Sequence, residues 1–534
     1  MPATVTTFLS SRAGWPGGET HPQRRRILAV LCLSLLVVVI DNTVLNTALP
    51  TLARSLHAGT SSLQWVTDAY SLVFAAMLVT AGAISDRYGR RRALLSGLVV
   101  FAAGSVGAAL SGGTATLVAW RAVMGLGAAF VMPATLSILN AVFPATERAQ
   151  AIAAWSAVSG VGIVIGPTMG GLLLDHFAWS SVFWVNVPLV GVALAAVARL
   201  VPEIAIEERA LRFDIAGLVA SSAGLLLLVD AVIQAPSAGW ASPRTLGELA
   251  LAGVVLAGFI AWELRSPWPL LDVRVFANRA FSAASGSIAM TFFALFGSLF
   301  ALTQYLQLVH GYSALAAGVR ALPFALAMGA LSPVSSVLAK RLGARLVIPA
   351  GLVVMGAGLL WLSTVSPDSS YGYITVAVVL MGAGMALVLS PSSESIMSTL
   401  PQSQAGIGSA VNDTVREVGG SLGVAVIGSL VSSAYASDLR LGGLPAPLAR
   451  AARQSVAAAD QVAGAVRGTE GRQLADAAHQ AFTSAMGHGL AIAAAVAVVS
   501  AALAAAGLPA RHHYHEAAGA VPNRGNLAPA PSAA

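Results

Sequence analysis

Charged residues are scarce in this sequence of 534 residues. Only 10% of the chain is Asp, Glu, Lys or Arg, whereas 56% is hydrophobic. A soluble domain has about 25% charged and about 45 to 50% apolar residues. The composition therefore excludes an ordinary soluble globular protein.

Cysteine and lysine each occur once. The single cysteine, Cys32, excludes an intrachain disulfide and a cysteine-based zinc site, and no other metal site is predicted. The only lysine, Lys340, follows Ala339, so the Gly-Lys-Ser/Thr of a phosphate-binding P-loop cannot be written anywhere in the chain. This excludes ATP-driven pumping of the P-loop kind. The net charge of +7 does not indicate nucleic-acid binding.

Long apolar runs take up most of the chain. A helix of about 20 apolar residues crosses the roughly 30 Å of hydrocarbon in a bilayer. The sequence predicts about fourteen such helices and no cleavable signal peptide, and hence an all-α polytopic membrane protein. The runs cover about residues 27–49, 62–83, 93–111, 114–137, 149–174, 180–200, 214–234, 247–264, 281–308, 314–338, 346–365, 372–394, 405–434 and 486–508.

The predicted helices divide into two groups of six around a central pair. An internal repeat supports this division, because Asp86–Arg91 after the second helix has a counterpart in Lys340–Arg345. We expect two bundles with a substrate cavity between them, as in many transporters. The predicted segments are a tail at 1–26, a bundle at 27–200, an insertion at 201–280, a bundle at 281–508 with an outer loop at about 437–484, and a tail at 509–534.

Basic residues set the orientation of the helices. They concentrate in alternate loops, around Arg24–Arg26, Arg87–Arg92 and Lys340–Arg345, which places both termini in the cytoplasm. The predicted outer loop at about 437–484 disagrees, since it carries five arginines, but long loops are translocated with less regard for charge. That loop is rich in alanine, and we expect one or two short surface helices in it.

The turn from Gly82 to Arg92 joins two predicted helices and combines glycine with clustered arginine. By itself it could be a topogenic anchor at the cytoplasmic headgroups. The run also resembles the loop signature of the major facilitator superfamily. On that resemblance its site residues are Gly82, Asp86, Gly89, Arg90 and Arg91, with Asp86 and the arginines bracing the closed cytoplasmic face against the thirteenth helix.

Three further segments resemble the fourteen-helix drug:proton antiporters of that superfamily. Asp41–Pro50 is similar to their first-helix signature, and Leu117–Gly125 to a fourth-helix signature that carries a buried arginine, here Arg121. Met124 departs from that signature, which usually has glutamine there. The run Gly160–Gly171 is similar to a fifth-helix antiporter motif, with site residues Gly162, Gly166, Pro167, Gly170 and Gly171.

Three ionisable residues are predicted at one depth in the membrane. At about 1.5 Å per residue, Asp41, Asp68 and Arg121 all lie about 9 to 14 Å from the outer ends of their helices. Each such group costs roughly 2.5 to 3.5 kcal/mol in a bilayer, so the three should face a cavity or one another. We interpret them as a proton-coupling site. The alternative is a static buried ion pair that fixes helix register.

Two other patterns allow two interpretations each. The glycines at 162, 166 and 170 share one helix face and permit close packing, and in the resembled antiporters the motif also seals the protein against leak. Asp413, Arg416 and Glu417 share one face of the thirteenth helix, at about the level of Glu394. These four could form an inner gate, or Arg416 and its neighbours could form a self-satisfied pair.

The resemblance implies proton-driven efflux of amphipathic, often cationic compounds across a bacterial inner membrane. It implies a secondary transporter that uses the proton gradient without a cofactor and acts as a monomer in the lipid bilayer. Export of an endogenous metabolite or lipid, and uptake by proton symport, are the alternatives within the family. A membrane-embedded enzyme would need a further acid, base or metal cluster, and a scaffold would not need the three ionisable residues at one level.

Overall fold

All regular secondary structure in the described part of the chain is helical. The computed structural model describes residues 22–56, 60–204, 214–267, 269, 271, 273–400, 404–439, 445–466 and 468–509. Fourteen helices in these ranges are long and apolar enough to cross a membrane. The predicted all-α polytopic class is therefore confirmed. Most of the predicted tails, 1–26 and 509–534, lies outside the described residues.

The fourteen spanning helices are numbered in chain order, and the sides of the membrane follow the orientation predicted above. The first eight are α1 Arg24–Ser55, α2 Thr60–Tyr88, α3 Arg90–Ala109, α4 Thr114–Val142, α5 Ala145–His176, α6 Ser181–Leu200, α7 Ile215–Ala238 and α8 Pro243–Glu263. The other six are α9 Arg279–Gln304 with a π-helical end Tyr305–Val309, α10 in two pieces Ala314–Arg320 and Leu322–Leu342, α11 Ala344–Leu362, α12 Tyr371–Thr399, α13 Ala405–Asp438 and α14 Gly468–Gly507.

The same packing pattern occurs in α1 to α6 and in α9 to α14. In the first set α1 packs on α5, and both α2 and α3 pack on α4; in the second, α9 packs on α13, and both α10 and α11 pack on α12. Each set encloses its own apolar core. We call them the N-terminal and C-terminal bundles. They meet where α2 contacts α13 and where α5 contacts α10.

The two inserted helices lie against one side of this interface. α7 pairs with α8 and also packs on α2 and α13, so it contacts both bundles. The Ser222 hydroxyl lies 3.1 Å from that of Thr80 on α2. The Trp240 indole donates a hydrogen bond of 2.9 Å to Ser429 on α13. The insertion therefore covers the α2–α13 side of the interface from the lipid.

The segment predicted as an outer loop, at about 437–484, is largely helical where the structure describes it. Among the described residues, two short helices, Ala446–Ala452 and Val456–Val466, follow α13, but α14 already begins at Gly468. Its 40 residues are about 60 Å long, about twice the hydrocarbon thickness. Alanine-rich sequence favours helix regardless of whether lipid surrounds it. The apolar run predicted at about 486–508 is therefore only the C-terminal part of a longer helix.

Candidate functional site

An ion pair joins α1 to α4 inside the N-terminal bundle. Arg121 Nη1 lies 2.6 Å from Asp41 Oδ2, and both side chains are 0% exposed. The other carboxylate oxygen of Asp41 accepts a hydrogen bond of 2.7 Å from the Asn186 amide on α6, which also donates to Ser105 on α3. Both oxygens of Asp41 are thus satisfied by neighbours within one bundle. This geometry suits the static-pair alternative in the state described.

The remaining contacts of Arg121 come from α2 and from its own helix. Its Nε donates to the Val66 carbonyl at 3.2 Å, and its guanidinium lies 4.4 Å from the centre of the Tyr70 ring. Met124, the departure from the fourth-helix signature, offers only its sulfur, at 3.9 Å. The side chain of Asp68 lies outside the described residues. The predicted coupling role of these residues stays a prediction.

A second group of ionisable residues lies on α13 at the interface of the bundles. Arg416 Nη1 is 3.3 Å from Asp413 Oδ1, and both residues are buried. The Asn412 amide also donates to Asp413, at 3.2 Å, and its own oxygen accepts from Ser393 on α12 at 2.9 Å. The other carboxylate oxygen of Asp413 has no hydrogen-bond partner among the described residues. A buried carboxylate oxygen without a partner is costly and is typical of functional sites.

Two side chains of this group reach the N-terminal bundle. Glu417 lies close to Ser71 on α2. The Arg416 guanidinium lies 5.4 Å from the centre of the Trp155 ring on α5, and 4.7 Å from that of Phe292 on α9. Arg416 therefore sits between an aromatic ring of each bundle. The pairing of Arg416 with Asp413 within α13 therefore accounts for only part of the contacts of Arg416.

No sequence pattern singles out Trp155 as a functional residue. An aromatic residue in an apolar helix is most often part of the core, and Trp155 is indeed fully buried, with its indole donating to Thr135 on α4 at 3.1 Å. Its ring face meets Arg416, which is about 260 residues away in the sequence. Only the tertiary structure brings the two together.

The turn after α2 holds the start of α13 at the cytoplasmic side. The two carboxylate oxygens of Asp86 accept hydrogen bonds from the backbone N–H groups of Gly406 and Ile407, at 2.9 and 3.1 Å. Arg90 pairs with the same carboxylate at 3.1 Å. These N–H groups belong to the first turn of a helix, where they lack partners within the helix and favour an anion. Asp86 thus links the two bundles.

Two glycines permit this contact. A Cβ at Gly82 would lie 2.6 Å from the Gly406 carbonyl oxygen, so α2 and α13 touch backbone to backbone. Gly89 has φ of 108°, in the region that favours glycine, and it turns the chain from α2 into α3. The Arg91 guanidinium donates to the Ala198 carbonyl at the end of α6. The turn is therefore fixed within its own bundle as well as to the other.

The repeat counterpart of this turn makes the matching contact. Lys340, which corresponds to Asp86, lies at the end of α10 and donates to the Thr146 carbonyl in the first turn of α5. Glu394 on α12 lies within electrostatic range of Lys340 and of Arg148 on α5. Glu394 is therefore close to this contact. Both repeats therefore bridge the two bundles at the same end of the molecule, the end predicted to face the cytoplasm.

The glycines of the fifth-helix motif face α1. A Cβ at Gly162 would lie 2.8 Å from Val39, and a Cβ at Gly166 would overlap the Thr43 hydroxyl. Pro167 lies inside α5, and with Thr168 it borders Gly318 on α10 of the other bundle. The motif therefore lies between α1 and the C-terminal bundle. Gly170 is buried and Gly171 is half-buried in the same helix, and the sealing role stays a prediction.

Gly166→Leu is expected to push α5 away from α1. Overpacking of this kind costs about 1 to 3 kcal/mol, and separation at the motif is expected to let protons through without substrate. The measurement is substrate-free proton flux into vesicles, with membrane abundance determined in parallel. Gly191→Leu is the control, because a Cβ at Gly191 meets nothing within 4 Å. A Gly166→Leu protein that is inserted normally and keeps protons out would reduce the motif to packing.

Among the described residues, no three or more His, Cys, Asp or Glu side chains are grouped to hold a metal ion. The two groups of residues instead provide buried carboxylates and aromatic rings, with Arg121 beside Asp41 and Arg416 beside Asp413. Such groups can exchange protons or bind organic cations.

Known transporters resemble the chain along most of its length. The family description of the Major Facilitator Superfamily matches residues 31–424. The tetracenomycin C resistance and export protein of Streptomyces glaucescens is 35% identical over 485 residues, which cover 89% of this chain and 90% of that protein. The methyl viologen resistance protein SmvA of Salmonella typhimurium (strain 14028s / SGSC 2262) is 35% identical over 458 residues, covering 85% and 92%.

A solved structure has the same fold. The crystal structure of the human organic anion transporter MFSD10 (TETRAN) aligns with a TM-score of 0.59 and 16% sequence identity, covering 91% of this chain and 100% of that one.

Proposed function

This chain belongs to the Major Facilitator Superfamily, and we propose that it exports amphipathic, often cationic drugs or toxic compounds in exchange for protons. It is a multi-pass membrane transporter of small molecules, not an enzyme. The energy source in this proposal is the proton gradient, without a cofactor. The membrane is the bacterial inner membrane, with both termini in the cytoplasm and the monomer as the working unit.

One observation carries the proposal beyond the family. At the interface of the bundles Arg416 of α13 lies over the Trp155 and Phe292 rings and pairs with Asp413, and Glu417 is a second acid close to it. Carboxylates and aromatic faces are the groups that recognise organic cations. The name of SmvA points the same way, since methyl viologen is an organic dication. The names of the relatives also support resistance and export, as opposed to uptake.

Alternating access supplies the mechanism. The closed cytoplasmic side, held by Asp86 and Lys340, is one end state of a rocking motion between the bundles. In this proposal a proton at Asp41 and a cationic substrate beside Asp413 favour opposite end states of the rocking motion, so binding of one promotes release of the other. The proton site in this proposal is Asp41 with Asp68 and Arg121. Protonation of Asp41 would leave the Arg121 charge unpaired, and relief of that cost would drive rearrangement.

Fluorescent cations test the proposed function in cells. Cells that express the protein are expected to accumulate less ethidium than cells that lack it, because export opposes entry. An uncoupler that abolishes the proton gradient is expected to remove the difference. Equal accumulation with and without the protein, at verified membrane abundance and across several organic cations, would contradict export of cationic compounds.

A further inference from the structure

The surroundings of Arg416 are those of a bound organic cation. Its guanidinium is packed between the faces of Trp155 and Phe292, at 5.4 and 4.7 Å from the ring centres, and lies 3.3 Å from the Asp413 carboxylate. Trp155 and Phe292 are 0% and 4% exposed. Cation–aromatic attraction is strongest where water is excluded, as it is here.

These surroundings exceed what an ion pair within one helix requires. Asp413 and Arg416, three residues apart on α13, can pair without help from other helices. The two rings come from different bundles, Trp155 from α5 and Phe292 from α9. The Trp155 ring is oriented by the hydrogen bond from its indole to Thr135. The two bundles thus form a cation-binding enclosure that the side chain of the protein itself occupies.

The charges in this region also point to an occupied cation site. Two carboxylates, Asp413 and Glu417, lie near a single cation, Arg416. If the Arg416 side chain left, the two acids and the two rings would remain without a cation. A monovalent cation bound in the place of the guanidinium would restore the net charge that the site has with Arg416. A long arginine side chain can leave such a site by rotation about its own bonds, without movement of α13.

We propose that Arg416 is a resident substitute for the cationic substrate: it fills the subsite formed by Trp155, Phe292 and Asp413 in the closed state, and an amphipathic monovalent cation displaces it. The inference rests on the proposed function, because it assigns a subsite to that substrate class. In the absence of substrate Arg416 holds the two bundles together through the two rings. A substrate cation must compete with the Arg416 side chain. The apparent affinity for the substrate is therefore proportional to the fraction of protein in which Arg416 has left the site.

Arg416→Gln tests the inference by removing the competitor and keeping most of the side-chain volume. The probe is tetraphenylphosphonium, whose equilibrium binding to the full chain is measured in lipid nanodiscs. Arg416→Gln is expected to bind the probe about tenfold more tightly than the wild type. A change of this size in the dissociation constant is what the loss of one buried cation–aromatic contact by the competing side chain would produce. Arg416→Lys keeps the charge but not the flat guanidinium, and an intermediate gain is expected.

Arg320 provides the matched control. Its guanidinium also lies over aromatic rings, at 3.8 Å from the centre of Tyr312 and 5.4 Å from that of Tyr371. All three residues lie at the outer end of the C-terminal bundle, away from Arg416. Arg320→Gln is expected to bind the probe with wild-type affinity.

Weaker or unchanged binding by Arg416→Gln would overturn the inference, because Arg416 would then contribute to the site or be irrelevant to it. If Arg416→Gln is not recovered folded, the same criterion applies to Arg416→Lys. The proposed function fails separately. Wild-type protein that exports cations from cells while Arg416→Gln gains no affinity contradicts only the inference, whereas absence of both export and binding in every variant contradicts both.

Discussion

Asp41→Asn is expected to reduce uphill efflux to the level of cells that lack the protein. Asparagine cannot release a proton, and it leaves the fully buried Arg121 cation without its counter-charge. Removal of one partner from a buried ion pair costs about 3 to 5 kcal/mol, so the thermal stability of the purified protein is expected to fall as well. Efflux is measured at equal membrane abundance, and stability by thermal unfolding in detergent.

The double variant Asp41→Asn/Arg121→Gln separates coupling from stability. It removes both charges, so most of the lost stability is expected to return, because no uncompensated buried charge remains. Efflux is not expected to return, because the proton-binding group is still absent. Proton-driven efflux by the double variant would show that the Asp41–Arg121 pair is only structural. Coupling would then be assigned to Asp413, Glu417 or Glu394.

Asp86→Asn is expected to be inserted normally and to transport poorly. The carboxylate of Asp86 accepts from two backbone N–H groups of α13 and pairs with Arg90, and an amide can accept only at its single oxygen. Hydrogen bonds to a charged group contribute about 1.5 to 3 kcal/mol. Their loss is expected to shift the closed cytoplasmic face toward opening by about tenfold or more, and to lower the efflux rate accordingly.

Cysteine labelling reads this shift directly, because Cys32 is the only native cysteine and can be replaced. Ser409→Cys on α13 is buried behind the closed face, and Asp86→Asn is expected to increase its reaction with a membrane-impermeant thiol reagent from the cytoplasmic side. Asp175→Asn, an exposed acid at the far end of α5, is the control. Wild-type labelling and efflux in Asp86→Asn would leave the turn as a topogenic anchor only.

Hydropathy predicted the fourteen spans because a membrane requires apolar side chains over a fixed length. It placed the start of α14 about 18 residues too late, at 486 instead of Gly468, because helix propensity and not lipid decides where that helix begins. The common level of Asp41 and Arg121 followed from the rise per residue of a helix, and the two residues are paired in the structure. The coupling role of the pair stays a prediction, which the double variant above tests.

Partners that come from distant helices had no signal in the sequence. Asn186 is an isolated amide in an apolar stretch of α6, and nothing in its neighbourhood indicates that it completes the shell of Asp41. The position of Arg416 between rings of two bundles depends on how those bundles pack. Hydrophobic periodicity reports which face of a helix is buried, but not which helix covers it.

Transport in proteoliposomes with an imposed pH gradient and the membrane potential held at zero tests the central claim most directly. With an acidic lumen, protons leave through the protein, and exchange predicts accumulation of tetraphenylphosphonium in the lumen that grows with the gradient and disappears with a protonophore. Accumulation that is the same without a pH gradient would contradict proton coupling. Accumulation driven only by an alkaline lumen would contradict exchange and establish symport.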